Sequence, residues 1–190
     1  MNSNNSHSGR ILTSPSSFGQ VGKKPLELLE KNGFSIVNNP FGRKLTENEV
    51  IEYGRNCVGI VAGVEPITRR VIDSLTTIKC ISRVGVGMES IDIEYAKSKG
   101  IIVLNTPYGP TRAVAEFTLA MTLSLLRRIP QADARLKQKI WEKQMGSLLY
   151  EKVIGIIGLG RIGRMVAELF RGIGNKVISH DLLPDAEWAN

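Results

Sequence analysis

The sequence is poor in the residues that build metal centres, disulfide frameworks and acid–base pairs: it has 2 cysteines and 2 histidines in 190 residues. Cys57 and Cys80 each stand in a short apolar run, Cys57-Val58-Gly59-Ile60-Val61 and Ile78-Lys79-Cys80-Ile81. Such runs predict buried, reduced thiols of a cytoplasmic protein, and neither a disulfide nor a metal site. His7 lies in a polar N-terminal stretch and His180 beside Asp181, so neither has the surroundings of a general acid or base. Long apolar runs are missing as well. The longest, Ala113 to Leu126, carries Glu116 and falls short of the ~20 residues that a membrane span needs. Residues 1–9 hold almost no apolar side chain and read as a disordered polar tail without a signal-peptide core.

One abundance has to be weighed against these absences. The formal net charge is +7, and Arg127, Arg128, Arg135, Lys137, Lys139 and Lys143 are close together. They are interleaved with Gln131, Ala132, Asp133 and Glu142, and Trp141 is the aromatic among them. That is the pattern of a solvated helix face, not of a platform for stacking bases. No nucleic-acid partner is expected.

The remaining pattern is that of βα units around a parallel sheet. Strands are expected over Arg10 to Thr13, Phe34 to Val37, Cys57 to Val61, Ile78 to Val84 and Ile101 to Leu104. Helices are expected over Pro25 to Lys31 with Gly33 as stop, Glu47 to Tyr53 with Thr46 as cap, Arg69 to Leu75, and Asp92 to Ser98 with Gly100 as stop. Thr106-Pro107-Tyr108-Gly109-Pro110 can continue neither element and reads as a hinge. Thr111 is then expected to cap a helix to about Arg128, apolar around most of its circumference, and Pro130 to open a basic helix to about Lys143.

The chemistry-bearing segment follows. Val153-Ile154-Gly155-Ile156-Ile157 reads as a strand buried on both faces, and it leads into Gly158-Leu159-Gly160-Arg161-Ile162-Gly163. A helix over Arg161 to Phe170, a stop at Gly174, a strand over Lys176 to Ser179 and Asp181 at its end complete a βαβ unit. Each part suits a dinucleotide. Gly158 permits the tight turn, Gly160 leaves room for the pyrophosphate, and Gly163 lets helix and strand approach. The amides of Arg161 and Ile162 offer donors at a helix N-terminus. Asp181 can accept from the adenosine ribose hydroxyls and would repel a 2′-phosphate, which favours NAD over NADP; a plain surface carboxylate is the other reading of that residue.

Several stretches, namely Ile81-Ser82-Arg83-Val84-Gly85-Val86-Gly87, Asn105-Thr106-Pro107, Ala113-Val114-Ala115-Glu116, Arg128-Ile129-Pro130, Trp141-Glu142-Lys143 and the glycine-rich run through Gly163, together resemble the D-isomer-specific 2-hydroxy acid dehydrogenases. The likeness is greatest to phosphoglycerate dehydrogenase-like members. It implies an α/β architecture in which a flavodoxin-like parallel-sheet substrate domain, residues 10–106, precedes dimer helices and the first βαβ of an NAD-binding Rossmann domain, residues 107–190, with its strand from 152. It implies oxidation of a small 2-hydroxy acid, or reduction of a 2-keto acid, by a homodimer. Val86 and Gly87 fall in the loop whose amides would hold the substrate carboxylate; a plain β-to-α turn is the alternative. The helix from Thr111 resembles a dimer helix, and a buried core helix is equally compatible with its pattern. Glu89-Ser90, Pro110 and Ala62 depart from residues common in phosphoglycerate dehydrogenases. The family's histidine, its carboxylate partner and its substrate arginine are expected downstream of the second Rossmann strand, so no catalytic residue is assigned here and the chain reads as incomplete. A non-catalytic NAD-sensing or dimerising module is the alternative function.

Overall fold

In a computed structural model of the chain, residues 9–189 are described; His7 and most of the expected polar tail lie outside them. Two compact units divide at Gly109/Pro110.

The first unit contains five parallel strands: β1 (Gly9–Thr13), β2 (Phe34–Asn38), β3 (Cys57–Ala62), β4 (Cys80–Arg83) and β5 (Ile102–Asn105). Their order is β2-β1-β3-β4-β5, the flavodoxin-like order, in which the chain reverses direction across the sheet between β1 and β3. The helices are α1 (Lys24–Lys31), α2 (Glu47–Gly54), α3 (Arg69–Ser74) and α4 (Ile93–Ser98). Local chemistry sets their ends. Thr46 and Glu49 form a reciprocal capping box at the start of α2, and Asp92 caps α4 by accepting from the Tyr95 amide. Gly33 and Gly100, at φ +83° and +74°, take the left-handed backbone that ends α1 and α4. Leu12, Ile60, Val71 and Ile81 meet in the core between sheet and helices. Strand β4 starts later than its apolar run, because the Ile78 N–H closes a turn onto Leu75 O. Gly9, expected in the tail, opens β1.

The second unit holds α5 (Thr111–Leu126), α6 (Ile129–Lys137), β6 (Val153–Ile157), α7 (Arg161–Gly172), β7 (Lys176–His180) and α8 (Ala186–Ala189). Strands β6 and β7 run parallel in register from Val153↔Lys176 to Ile157↔His180. Ala115 of α5 packs with Phe170 and Val166 of α7 and with Leu149. Asn175, 5% exposed, ties the turn before β6 to the turn before β7 by donating from Nδ2 to the carbonyls of Leu149 and Lys152.

Four expectations are corrected in this unit. Thr111 is not the cap of α5: Pro110 holds that position, and the Thr111 hydroxyl lies inside the first turn without a hydrogen-bond partner. Helix α6 ends at Lys137, not near Lys143. Lys139 takes φ +62°, and the bonds Ile140 N–H to Arg135 O and Lys139 N–H to Leu136 O close a Schellman motif with lysine where glycine is usual. Strand β6 is not buried on both faces, since Val153 and Ile157 are 55% and 91% exposed. Nor is α5 a core helix within its unit. One stripe meets α7, whereas Phe117, Met121 and Leu125 face outward.

Candidate functional site

The glycine-rich turn owes its shape to two close approaches. Gly158 sits at φ +91°, a conformation that a side chain disfavours, and its N–H donates to His180 O across the strand pair at 2.8 Å. A Cβ on Gly163 would collide with the Gly158 carbonyl oxygen, so only glycine lets α7 start this close to the strand. Gly160 differs from both. A Cβ there would meet nothing within 4 Å, and its extended backbone starts α7 with no side chain capping the helix. The amides that open α7, those of Arg161 and Ile162 among them, therefore belong to a helix end that offers donors and a partial positive charge beside open space.

Asp181 lies at the end of β7, and its carboxylate is engaged. Oδ2 accepts from the Leu159 amide at 2.5 Å and Oδ1 from the Leu183 amide at 2.9 Å. The N–H groups of Leu183, first, and Leu159 hold its carboxyl below the usual carboxylate range. A carboxylate has about four acceptor sites, so the tether to the glycine-rich turn leaves capacity for ligand hydroxyls. Arg164 braces the same turn from the helix side, donating from Nε to Leu159 O at 3.0 Å, and pairs with Asp185 at 2.8 Å. Sequence reasoning missed Arg164, because nothing distinguishes it from any other basic residue on a helix face.

In the first unit, the loop after β4 carries Val86 and Gly87. The Thr106 N–H donates to Gly85 O at 3.0 Å, and Asn105 Nδ2 donates to Val86 O at 2.9 Å. Because each trans peptide points its C=O and N–H in opposite directions, the N–H groups of Val86 and Gly87 are both turned away from the Asn105-Thr106 side. Thr106 Oγ1 also accepts from the Gly85 amide at 2.7 Å. Two successive amides turned outward at the carboxyl end of a parallel strand can receive a carboxylate. One group opposes this: Glu89 folds back so that Oε2 would lie 2.5 Å from a Cβ on Gly87. Asn105 and Thr106 were visible in the sequence as a motif, but their function as anchors of this loop was not.

His180 is exposed and contributes its carbonyl to the Gly158 amide. Cys57 and Cys80 are free, and burial raises both thiol pKa values, the opposite of an activated nucleophile. Among the described residues, no group of three or more His, Cys, Asp or Glu side chains could hold a metal ion.

Residues 16–179 match the family D-isomer specific 2-hydroxyacid dehydrogenase, catalytic domain. The chain belongs to the D-isomer specific 2-hydroxyacid dehydrogenase family. A D-3-phosphoglycerate dehydrogenase of Sus scrofa is 40% identical over 158 residues, covering 82% of this chain and 29% of the relative. The matched segment thus spans less than a third of that relative's length. Among solved structures, the TT0316 protein of Thermus thermophilus superposes with a TM-score of 0.80 at 29% identity, over 93% of this chain and 57% of that one. An NAD+-bound 3-phosphoglycerate dehydrogenase of Entamoeba histolytica gives 0.75 at 29% identity, over 95% and 56%. Both glycine-rich segments lie within the matched family region, and Asp181 stands just beyond its end.

Proposed function

We propose that the protein takes part in hydride transfer between NAD and a D-2-hydroxy acid or the corresponding 2-keto acid, and that this chain supplies two binding loops for it. The observation that carries the reading is the glycine-rich turn: an uncapped helix start, room at Gly160, a forced glycine at Gly163 and a carboxylate at the end of the next strand. These residues fit the ADP half of a dinucleotide. Amides at the start of α7 receive the pyrophosphate, and Asp181 accepts from the adenosine ribose while excluding a 2′-phosphate. NAD, when bound, supplies the hydride acceptor or donor. In the first unit, the Val86 and Gly87 amides bind and orient the substrate carboxylate. No catalytic acid or base is assigned to this chain.

The reading takes residues 10–106 as a substrate domain and 107–190 as dimer helices with the start of a Rossmann domain. The outward apolar stripe of α5, with Phe117, Met121 and Leu125, supports a homodimer built on that helix. Free thiols, Cys57 buried and Cys80 half-buried, support a reducing, cytoplasmic setting; no helix among the described residues is long and apolar enough to cross a membrane.

Calorimetry with NAD and NADP tests the cofactor. NAD is expected to bind and NADP to bind less tightly, and Asp181→Ala is expected to weaken NAD about tenfold, the scale of a lost hydrogen bond to a charged group. Equal affinity for the two dinucleotides, or an unchanged Asp181→Ala, would overturn the assignment.

A further inference from the structure

Two opposite charges hold the two ends of one residue in the glycine-rich turn. The Leu159 N–H donates to Asp181 Oδ2 at 2.5 Å, and the Leu159 carbonyl accepts from Arg164 Nε at 3.0 Å. Backbone dimensions then put the Arg164 guanidinium within about 9 Å of the Asp181 carboxylate, close to the screening length at physiological salt. One ligand group can therefore feel both. A guanidinium is the side chain best shaped for phosphate, and a free one here would attract the 2′-phosphate that Asp181 repels.

That guanidinium is already occupied. Besides the bond from Nε to Leu159 O, a terminal nitrogen pairs with Asp185 Oδ2 at 2.8 Å, and the central carbon lies 5.2 Å from the centre of the Trp188 ring. The two oxygens of Asp185 divide their work. Oδ1 accepts from the Trp188 N–H at 3.2 Å and so caps α8, whereas Oδ2 takes the arginine. The Trp188 N–H, first, and then Arg164 hold the Asp185 carboxyl below the usual carboxylate range. Capping alone does not call for an acid, because asparagine or serine caps as well as aspartate. Nor does stability, since the paired side chains are 33% and 39% exposed and pairs open to water stabilise a fold little. What the carboxylate does do is engage a phosphate-binding group beside Asp181.

We propose that Asp185 is a specificity-determining residue, which by occupying Arg164 denies a 2′-phosphate the cation that would offset Asp181. Selection of NAD over NADP then rests on two carboxylates: Asp181 repels the extra phosphate, and Asp185 masks the group that would welcome it. The inference rests on the dinucleotide reading of the glycine-rich turn and deepens it. It also makes the selectivity conditional, since Asp185 matters to the 2′-phosphate through Arg164 and not through its own charge.

The test is a double-mutant cycle read by calorimetry with NAD and NADP on the 190-residue chain. Asp185→Asn keeps an acceptor for the Trp188 N–H and removes the charge that holds Arg164. It should tighten NADP about tenfold, the scale of a hydrogen bond gained between charged groups, and leave NAD within about twofold. Asp185→Ser, which also keeps a cap, should repeat the result and covers a poorly folded asparagine variant. In an Arg164→Gln background no cation is left to unmask, so Asp185→Asn should move the ratio of the two affinities by less than about twofold. A residue with only a structural role would shift both dinucleotides alike. An unchanged ratio in both Asp185 variants, with the parent chain still NAD-selective, would overturn the masking and leave the NAD reading standing. An equal gain in NADP affinity with and without Arg164 would overturn it too, because Asp185 would then act by its own charge. A parent chain that binds neither dinucleotide would remove the NAD reading and this inference with it.

Discussion

Strands β3 and β6 are both short, apolar and parallel, yet they end in opposite environments. Cys57, Ile60 and Ala62 of β3 are at most 2% exposed, between β1 and β4 and beneath α2 and α3. Val153 and Ile157 of β6 are 55% and 91% exposed, beside β7 alone among the described residues. Composition alone would have ranked the two equally. What separates them is nonlocal: a strand becomes central only when other segments cover both its edges and both its faces. An apolar run therefore states what a strand is able to bury, and the topology decides what it does bury.

The sharpest way to break this comparison is to empty each core in turn. Phe170→Ala should destabilise the second unit by about 3–5 kcal/mol and Leu12→Ala the first by about 2–5 kcal/mol, since both side chains are at most 2% exposed. Hydrogen exchange resolved by residue is the measurement. Each substitution should lower protection in its own unit and spare the other. Loss in both units from either substitution would show one cooperative structure and end the contrast. Next in size is Gly163→Ala. Its Cβ would run into the Gly158 carbonyl oxygen, a backbone atom that cannot rotate away, so α7 must shift. The expected cost is about 1–3 kcal/mol of the second unit's stability, together with loss of NAD binding by calorimetry. Wild-type affinity in that variant would mean that the turn can widen freely.

A smaller effect sharpens the comparison from the first unit. Arg43, then the Thr46 amide, draw the Glu49 carboxyl from 4.5 down to about 2. A carboxyl lowered in the folded state stabilises the fold above its unfolded value and loses that contribution as pH falls through its folded one. The first unit should therefore lose stability between pH 4.5 and about 2, and Glu49→Gln should flatten that part of its pH profile. The second unit has its own lowered carboxyls in Asp181 and Asp185, so its acid response should survive the Glu49 change. A profile unaltered by Glu49→Gln would remove the Arg43 pair and capping box from the account.

The elements were largely legible because their signals are local. Apolar runs, Thr46 with Glu49, and the glycines at positions 33, 100 and 174 mark strands, a cap and stops wherever they occur. The glycine-rich turn was legible for the same reason. What stayed hidden depends on partners distant in sequence. The anchoring of Val86 by Asn105, the brace from Arg164 to Leu159 and the tether from Asp181 to the Leu159 amide are of that kind. Thr111 misled by its residue type, since any threonine before a helical pattern looks like a cap; the neighbouring Pro110 had already taken that position. Lys139 misled by the reverse, because it takes the backbone conformation expected of a glycine.

The smallest expected effect bears most directly on the contrast between the strands. Ile157→Thr keeps a β-branched side chain, so the strand preference of the position changes little. With Ile157 at 91% exposure, little apolar area leaves water on folding, and the change in unfolding free energy should stay within about 0.5 kcal/mol. The equivalent cut at Ile60 of β3, 2% exposed, removes buried area and should cost more than about 1 kcal/mol. Denaturation of both variants at low and high protein concentration gives the decision. If Ile157→Thr costs as much as the Ile60 change, and does so only at high concentration, another copy covers β6 in solution. If it costs as much at every concentration, the strand is buried by its own chain, and the difference between β3 and β6 disappears.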